Sequence, residues 1–226
     1  MAAKSATATI PIVFGAAADP VDLGLVSSLN HPGGNLTGFY FLIQELTAKR
    51  LELLHEIVPA AASIGFLTNP ADPLTESERR QAETAAQLLG VHLVIANAST
   101  PGEIDTGFTS LVDQGIAALL VSGNSLFFAQ RNQLVALASR YGVPTIYPNR
   151  EAVDTGGLMS YGASIADALR LAGTYVGRIL KGEKPSDLPV QQSTRIEMVL
   201  SLKTAKALGI DPVPTATLLR ATEVIE

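Results

Sequence analysis

Ile116-Ala-Ala-Leu-Leu-Val121 runs directly into Ser122-Gly-Asn-Ser125 and then into the stretch Leu126–Tyr141, which stops before Gly142 and Pro144. Six apolar residues in a row, with no inside–outside alternation, describe a short strand buried on both faces. Leu134, Leu137 and Tyr141 fall on one stripe of a helix expected over 126–141. A buried strand, a polar exit loop and an amphipathic helix together form the repeating unit of a parallel sheet covered by helices.

The same unit recurs on both sides. Upstream, Ile10–Phe14 is an expected strand, and Asp19-Pro20 opens a helix expected over about Val21–Leu29. After the turn at His31-Pro-Gly-Gly34 come a strand near Leu36–Leu42 and a helix near Gln44–Val58, ended by Pro59. Ser63–Leu67 is the next strand, and Thr75 with Glu78 has the spacing of a capping box for a helix that stops at Gly90. Val91–Ile95 follows, then Thr100-Pro101-Gly102-Glu103 opens a helix with Ile104, Phe108, Leu111 and Val112 inward. Downstream, Thr145–Tyr147, Leu158–Tyr161 and a helix over about Ile165–Leu180 continue the alternation. A tail punctuated by Pro185, Pro189, Pro212 and Pro214 closes the chain. The fold class is α/β.

Composition narrows the function. The 226 residues are 47% hydrophobic and 16% charged, and no apolar run reaches the ~18 residues of a spanning helix. A net charge of −5 argues against nucleic-acid or anionic-membrane binding and for a small-molecule partner. With no Cys, thiolate metal sites and Cys nucleophiles are excluded. His31, His55 and His92 lack metal-ligand spacing, and structural roles account for all three. The serine-hydrolase elbow, the P-loop and the dinucleotide fingerprint are absent, so neither a cofactor nor a metal is expected. The start, Met1 to Thr9, has no apolar core of a signal peptide.

In an open parallel sheet, ligands gather at the carboxyl ends of the strands. Asp19 stands at one such exit, where it caps a helix or pairs with a ligand ammonium; Asn69 stands at another, as an Asx turn or an amide donor. Ser122, Asn124 and Ser125 join a buried strand to a helix, so capping and ligand binding are compatible there. Tyr147, with Asn149, and Tyr161 place rings at the same edge, for stacking on a flat ligand or for the core.

Several separated segments, in order, carry a resemblance: Ile10–Phe14 with Asp19-Pro20, Pro32-Gly-Gly-Asn-Leu-Thr-Gly38, Ala48-Lys-Arg-Leu-Glu-Leu-Leu54, Asn69-Pro70, Gly157-Leu-Met-Ser-Tyr-Gly162, Ile179-Leu-Lys-Gly182 with Pro185 and Leu188-Pro189, and Leu202–Gly209. The chain resembles the solute-binding components of ABC uptake systems, in the group with tryptophan/tyrosine-type binding proteins. The resemblance implies two Rossmann-like lobes of the periplasmic-binding-protein type, a non-catalytic role, and a small organic solute, an amino acid or aromatic-type metabolite, held in an interlobe cleft. It also implies ABC permease subunits as partners and a periplasmic or extracytoplasmic location. Residues 1–43 and 157–182 would be the remainder of a first lobe that is incomplete at its N-terminal side, 44–156 the second lobe, and 183–226 a return across the hinge. Relatives often carry Asp where this chain has Asn124, and Asn supplies hydrogen bonds but no charge, so a neutral or anionic aromatic solute stands beside an amino acid. An incomplete lobe leaves sheet edge and apolar helix faces uncovered, and self-association of the chain is expected.

Two other classes fit the α/β pattern. A doubly wound isomerase or racemase would use Asp19 or Asp154 as base but lacks an acid/base partner. The effector-binding core of a transcription regulator would need a basic DNA-binding segment, which this chain lacks.

Overall fold

The computed structural model describes residues 2–41 and 46–226. The ends of the expected strand and helix at Leu42 and Gln44, and the expected lobe boundary between 43 and 44, lie outside the described residues. The chain divides into a smaller compact unit, Met1–Ile43 with Ala163–Arg195, and a larger one, Gln44–Gly162 with Ile196–Glu226. The sequence-based division puts 157–182 in the first lobe and 183–226 across the hinge; in the structure, Ile196–Glu226 falls in the larger unit.

The larger unit is built on helices α2 (Thr47–Ile57), α3 (Thr75–Leu89), α4 (Pro101–Asp113), α5 (Ser125–Ala129), α6 (Arg131–Tyr141), α7 (Arg150–Asp154), α9 (Leu202–Ala207) and α10 (Thr215–Arg220). Its strands are β3 (Ser63–Thr68), β4 (His92–Asn97), β5 (Ala118–Val121), β6 (Thr145–Tyr147), β7 (Met159–Ala163), β9 (Ile196–Ser201) and β10 (Glu223–Ile225), in the spatial order β10-β9-β7-β6-β5-β3-β4. Strands β3 to β7 pair in parallel with their neighbours, as do β9 and β10. From β3 the sheet grows first to β4 on one side and then to β5 on the other, so the order reverses between β3 and β5. Such a reversal opens a crevice at the carboxyl ends of the two strands, because the following helices leave on opposite faces.

Successive strand residues point to opposite faces, and both faces are covered. Ile64, Phe66, Ala118, Leu120, Ile146 and Met159 pack with Leu51, Leu54 and Ala82 on the α2/α3 face. Leu67, Leu119, Val121 and Tyr147 pack with Phe108, Leu111 and Leu134 on the α4/α6 face. That double burial is why the strands read as unbroken apolar runs.

The smaller unit has α1 (Ala2–Ala6), α8 (Ile165–Leu180) and a three-stranded parallel sheet of β1 (Ile12–Ala16), β2 (Leu36–Tyr40) and β8 (Gln191–Gln192), in that order. Ser164 caps α8 by accepting from the Asp167 N–H.

Four local expectations are corrected. The helix over Val21–Leu29 is a run of turns: Gly24 has φ +64°, and the Leu25 N–H reaches back to the Pro20 carbonyl at 2.8 Å. The capping box at Thr75 does not form: Leu74 occupies the cap without a side-chain bond, Thr75 donates to the Asn69 carbonyl, and Glu78 turns inward. The helix over 126–141 is two helices, α5 and α6, meeting at Gln130. The tail contains β9, which lies between β7 and β10, because Met198, Val199 and Leu200 are buried.

Candidate functional site

The reversal between β3 and β5 gathers most of the residues singled out from the sequence. Strand β3 leaves through Asn69, whose Oδ1 accepts from the Ala71 N–H at 3.0 Å and so starts an Asx turn. Strand β5 leaves through Ser122 to Ser125. Ser122 is buried, its N–H donates to the Leu67 carbonyl at 3.0 Å, and its hydroxyl accepts from Asn124 Nδ2 at 3.0 Å. Asn124 Oδ1 caps α5 by accepting from the Phe127 N–H at 3.0 Å, so both ends of its amide are engaged inside the loop. Ser125, the first residue of α5, is exposed.

Tyr147 ends β6 on the same edge. It is buried at 2% exposure, packs with the α4/α6 core, and its ring lies against Gly157 so closely that a Cβ there would stand 2.8 Å from a ring carbon. No hydrogen-bond partner for its hydroxyl is found among the described residues, and burial pushes the phenol pKa up. A small pocket beside it is lined by Val121, Phe127, Phe128, Arg131, Tyr147 and Asn149, with Arg131 5.3 Å over the Phe128 ring. Past β6, Gly162 meets the Pro148 carbonyl, where a Cβ would lie 1.8 Å from the oxygen; only glycine permits that approach.

Tyr161 packs against the α2/α3 core, on the face of the sheet opposite Tyr147. Asp19 belongs to the smaller unit, where its carboxylate accepts from the Val21 N–H at 2.7 Å and organises the turns after β1. Asp154 is exposed and 3.5 Å from Arg150. Among the described residues no group of three or more His, Asp or Glu side chains could hold a metal ion.

Sequence reading missed a buried ion pair beneath the exit loop of β5. Arg50 of α2 and Glu78 of α3 are 1% and 2% exposed and meet at 3.0 Å. Glu78 Oε1 also accepts from Thr47 Oγ1 at 3.1 Å and from the Gly123 N–H at 3.1 Å, and Arg50 donates to Thr47 Oγ1 at 2.7 Å. Burial pushes the Glu78 carboxyl up, opposed by Arg50, the Gly123 N–H and Thr47; burial likewise lowers Arg50, opposed by Glu78. One signal was present. Arg50, Leu53, Leu54 and Ile57 share a helix stripe, as do Glu78, Ala82 and Ala85, and a charge on each inward stripe marks a partnered pair.

A family model described as ABC transporter substrate binding protein matches residues 1–225. The chain belongs to this ABC transporter substrate-binding family. It is a family of binding proteins, not of enzymes. A tyrosine-binding protein from Clostridioides difficile strain R20291 is 30% identical over 92% of this chain; the chain spans only 60% of that relative's length. A crystal structure of an ABC domain in complex with L-Trp from Streptococcus pneumonia is 26% identical, with a TM-score of 0.82 over 98% of this chain and 76% of its own. A conserved domain protein from Vibrio cholerae O1 biovar El Tor strain N16961 is 30% identical, with a TM-score of 0.83 over 99% of this chain and 74% of its own.

Proposed function

We propose that the chain serves as the solute-binding component of an ABC-type uptake system. It takes a small organic solute, an amino acid of the tyrosine or tryptophan kind or a related aromatic metabolite, in a cleft to which the carboxyl edge of β3, β5 and β6 contributes a wall. The observation that carries this reading is the placement of Asn69 and the Ser122–Ser125 loop on the two strands where the sheet order reverses. Short hydrogen-bonding groups on rigid strand ends suit a polar solute head, and the aromatic residues beside Tyr147 suit a flat body. The relatives named for tyrosine and L-Trp support an aromatic amino acid. Asp19 at the exit of β1 is proposed to face the ammonium of such a solute, and Tyr161 to bound the edge at β7. Release to permease subunits at an extracytoplasmic membrane face completes the reading.

The test is thermal unfolding and calorimetry of the full-length protein with L-tyrosine, L-tryptophan and a panel of aromatic acids. A ligand at about 100 times its Kd adds about 2.7 kcal/mol to the folded state, so at least one of these solutes raises Tm clearly. No shift with any of them overturns the proposal.

A further inference from the structure

Arg50 and Glu78 are almost completely removed from water. Taking two charges out of water is costly, and apolar side chains of similar volume commonly support a fold as well or better. Stability alone therefore gives no reason for the pair. What an apolar pair cannot supply is an acceptor for a backbone N–H. Both Glu78 oxygens lie within reach of the Gly123 N–H, at 3.1 and 3.3 Å. Gly123 sits between Ser122 and Asn124, whose side chains bond each other, and Asn124 in turn fixes the first turn of α5. Glu78 is itself held from α2 by Arg50 and Thr47. A continuous set of bonds thus runs from α2 through α3, across the point where the strand order reverses, into the exit loop of β5.

We infer that Glu78, oriented by Arg50 and Thr47, is the positioning residue that fixes the Ser122–Ser125 loop in its solute-binding shape through the Gly123 N–H. The inference rests on the uptake reading for what the loop binds, but not for the anchoring itself. A carboxylate accepting a backbone N–H makes a charge-assisted bond, and fixing one residue of a four-residue loop restricts the whole of it. Solute contacts made by such a loop then carry little ordering cost on binding.

The test compares two double variants of the full-length protein, R50M/E78L and R50M/E78Q, by hydrogen–deuterium exchange of residues 123–127 and by affinity for L-tyrosine. Both remove the charges, but only R50M/E78Q keeps an acceptor for Gly123. R50M/E78L is expected to exchange about tenfold faster at these amides and to bind about tenfold more weakly, while R50M/E78Q stays within about threefold of the wild type. Unchanged exchange at 123–127 in R50M/E78L overturns the inference. Should R50M/E78L not fold, T47V removes one of the groups holding Glu78 and leaves the carboxylate; about two- to fivefold faster exchange supports the anchor, and none refutes it. If the wild type has no affinity for L-tyrosine or any other solute of the panel, the uptake reading fails, and the exchange measurement still decides the anchor.

Discussion

The two units use the same α/β grammar with unequal means. The larger unit covers both faces of the central strands of its seven-stranded sheet, and Ile64, Phe66, Leu119 and Leu120 there have no exposed surface. The smaller unit has three strands and one small cluster of Ala16, Val26, Leu36, Tyr40 and Val190, with β1 largely half-buried. It relies more on polar ties: Thr37 donates to the Leu188 carbonyl at 2.7 Å, and Tyr175 donates to the carbonyl of Pro189. Its helix α8 leaves Leu169, Val176 and Leu180 exposed. Apolar area removed from water sets most of a domain's stability, so the larger unit should be the later of the two to open.

The contrast is sharpest in core truncations. Phe66→Ala, at the centre of the seven-stranded sheet, is expected to lower unfolding stability by about 3–5 kcal/mol, read by chemical denaturation. Leu36→Ala in the smaller unit is expected to cost about 2 kcal/mol, at the low end for such changes, because a thinly covered site can relax around the loss. Its signature is local. Amide exchange should quicken in β1 and β2 while the larger unit keeps its protection, and a uniform increase across both units would show that they unfold as one. The smallest effect is expected at the surface. Arg150 pairs with Glu223 of the edge strand β10 at 2.9 Å, and this holds the Glu223 carboxyl below its ordinary pKa. Glu223→Gln should cost no more than about 1 kcal/mol at neutral pH, because the pair is solvent-screened. A carboxyl with a lowered folded-state pKa stabilises above its unfolded pKa and loses that contribution as pH falls toward the folded value. The gap between wild type and E223Q should therefore close in the acidic range; a gap that persists at low pH would assign it to packing.

The same inequality explains what could be read from sequence. Strands β3, β5 and β6 were legible because burial on both faces leaves largely apolar runs, and the cap at Thr100 because its bond is local. The segment after β1 was misread because Asp19-Pro20 signals a turn and a helix equally well, and Gly24 with its positive φ decided for the turn. Strand β9 was missed because its neighbours β7 and β10 are brought beside it by the fold rather than by the sequence.

For the site, the sequence by itself determined the short polar exits at Asn69 and at Ser122 to Ser125 and their place at strand ends, since hydrophobic period and turn residues are written locally. Only the tertiary structure decided that the strand order reverses between them, that Tyr147 and Tyr161 lie on opposite faces of one sheet, and that Glu78 turns from a cap into the anchor of Gly123. The physical reason is that each of these depends on pairing between segments distant in the chain. Local propensity sees Glu78 as three residues after Thr75, whereas the folded sheet places it against Arg50 and a buried N–H, where satisfying the charge outweighs satisfying the helix end.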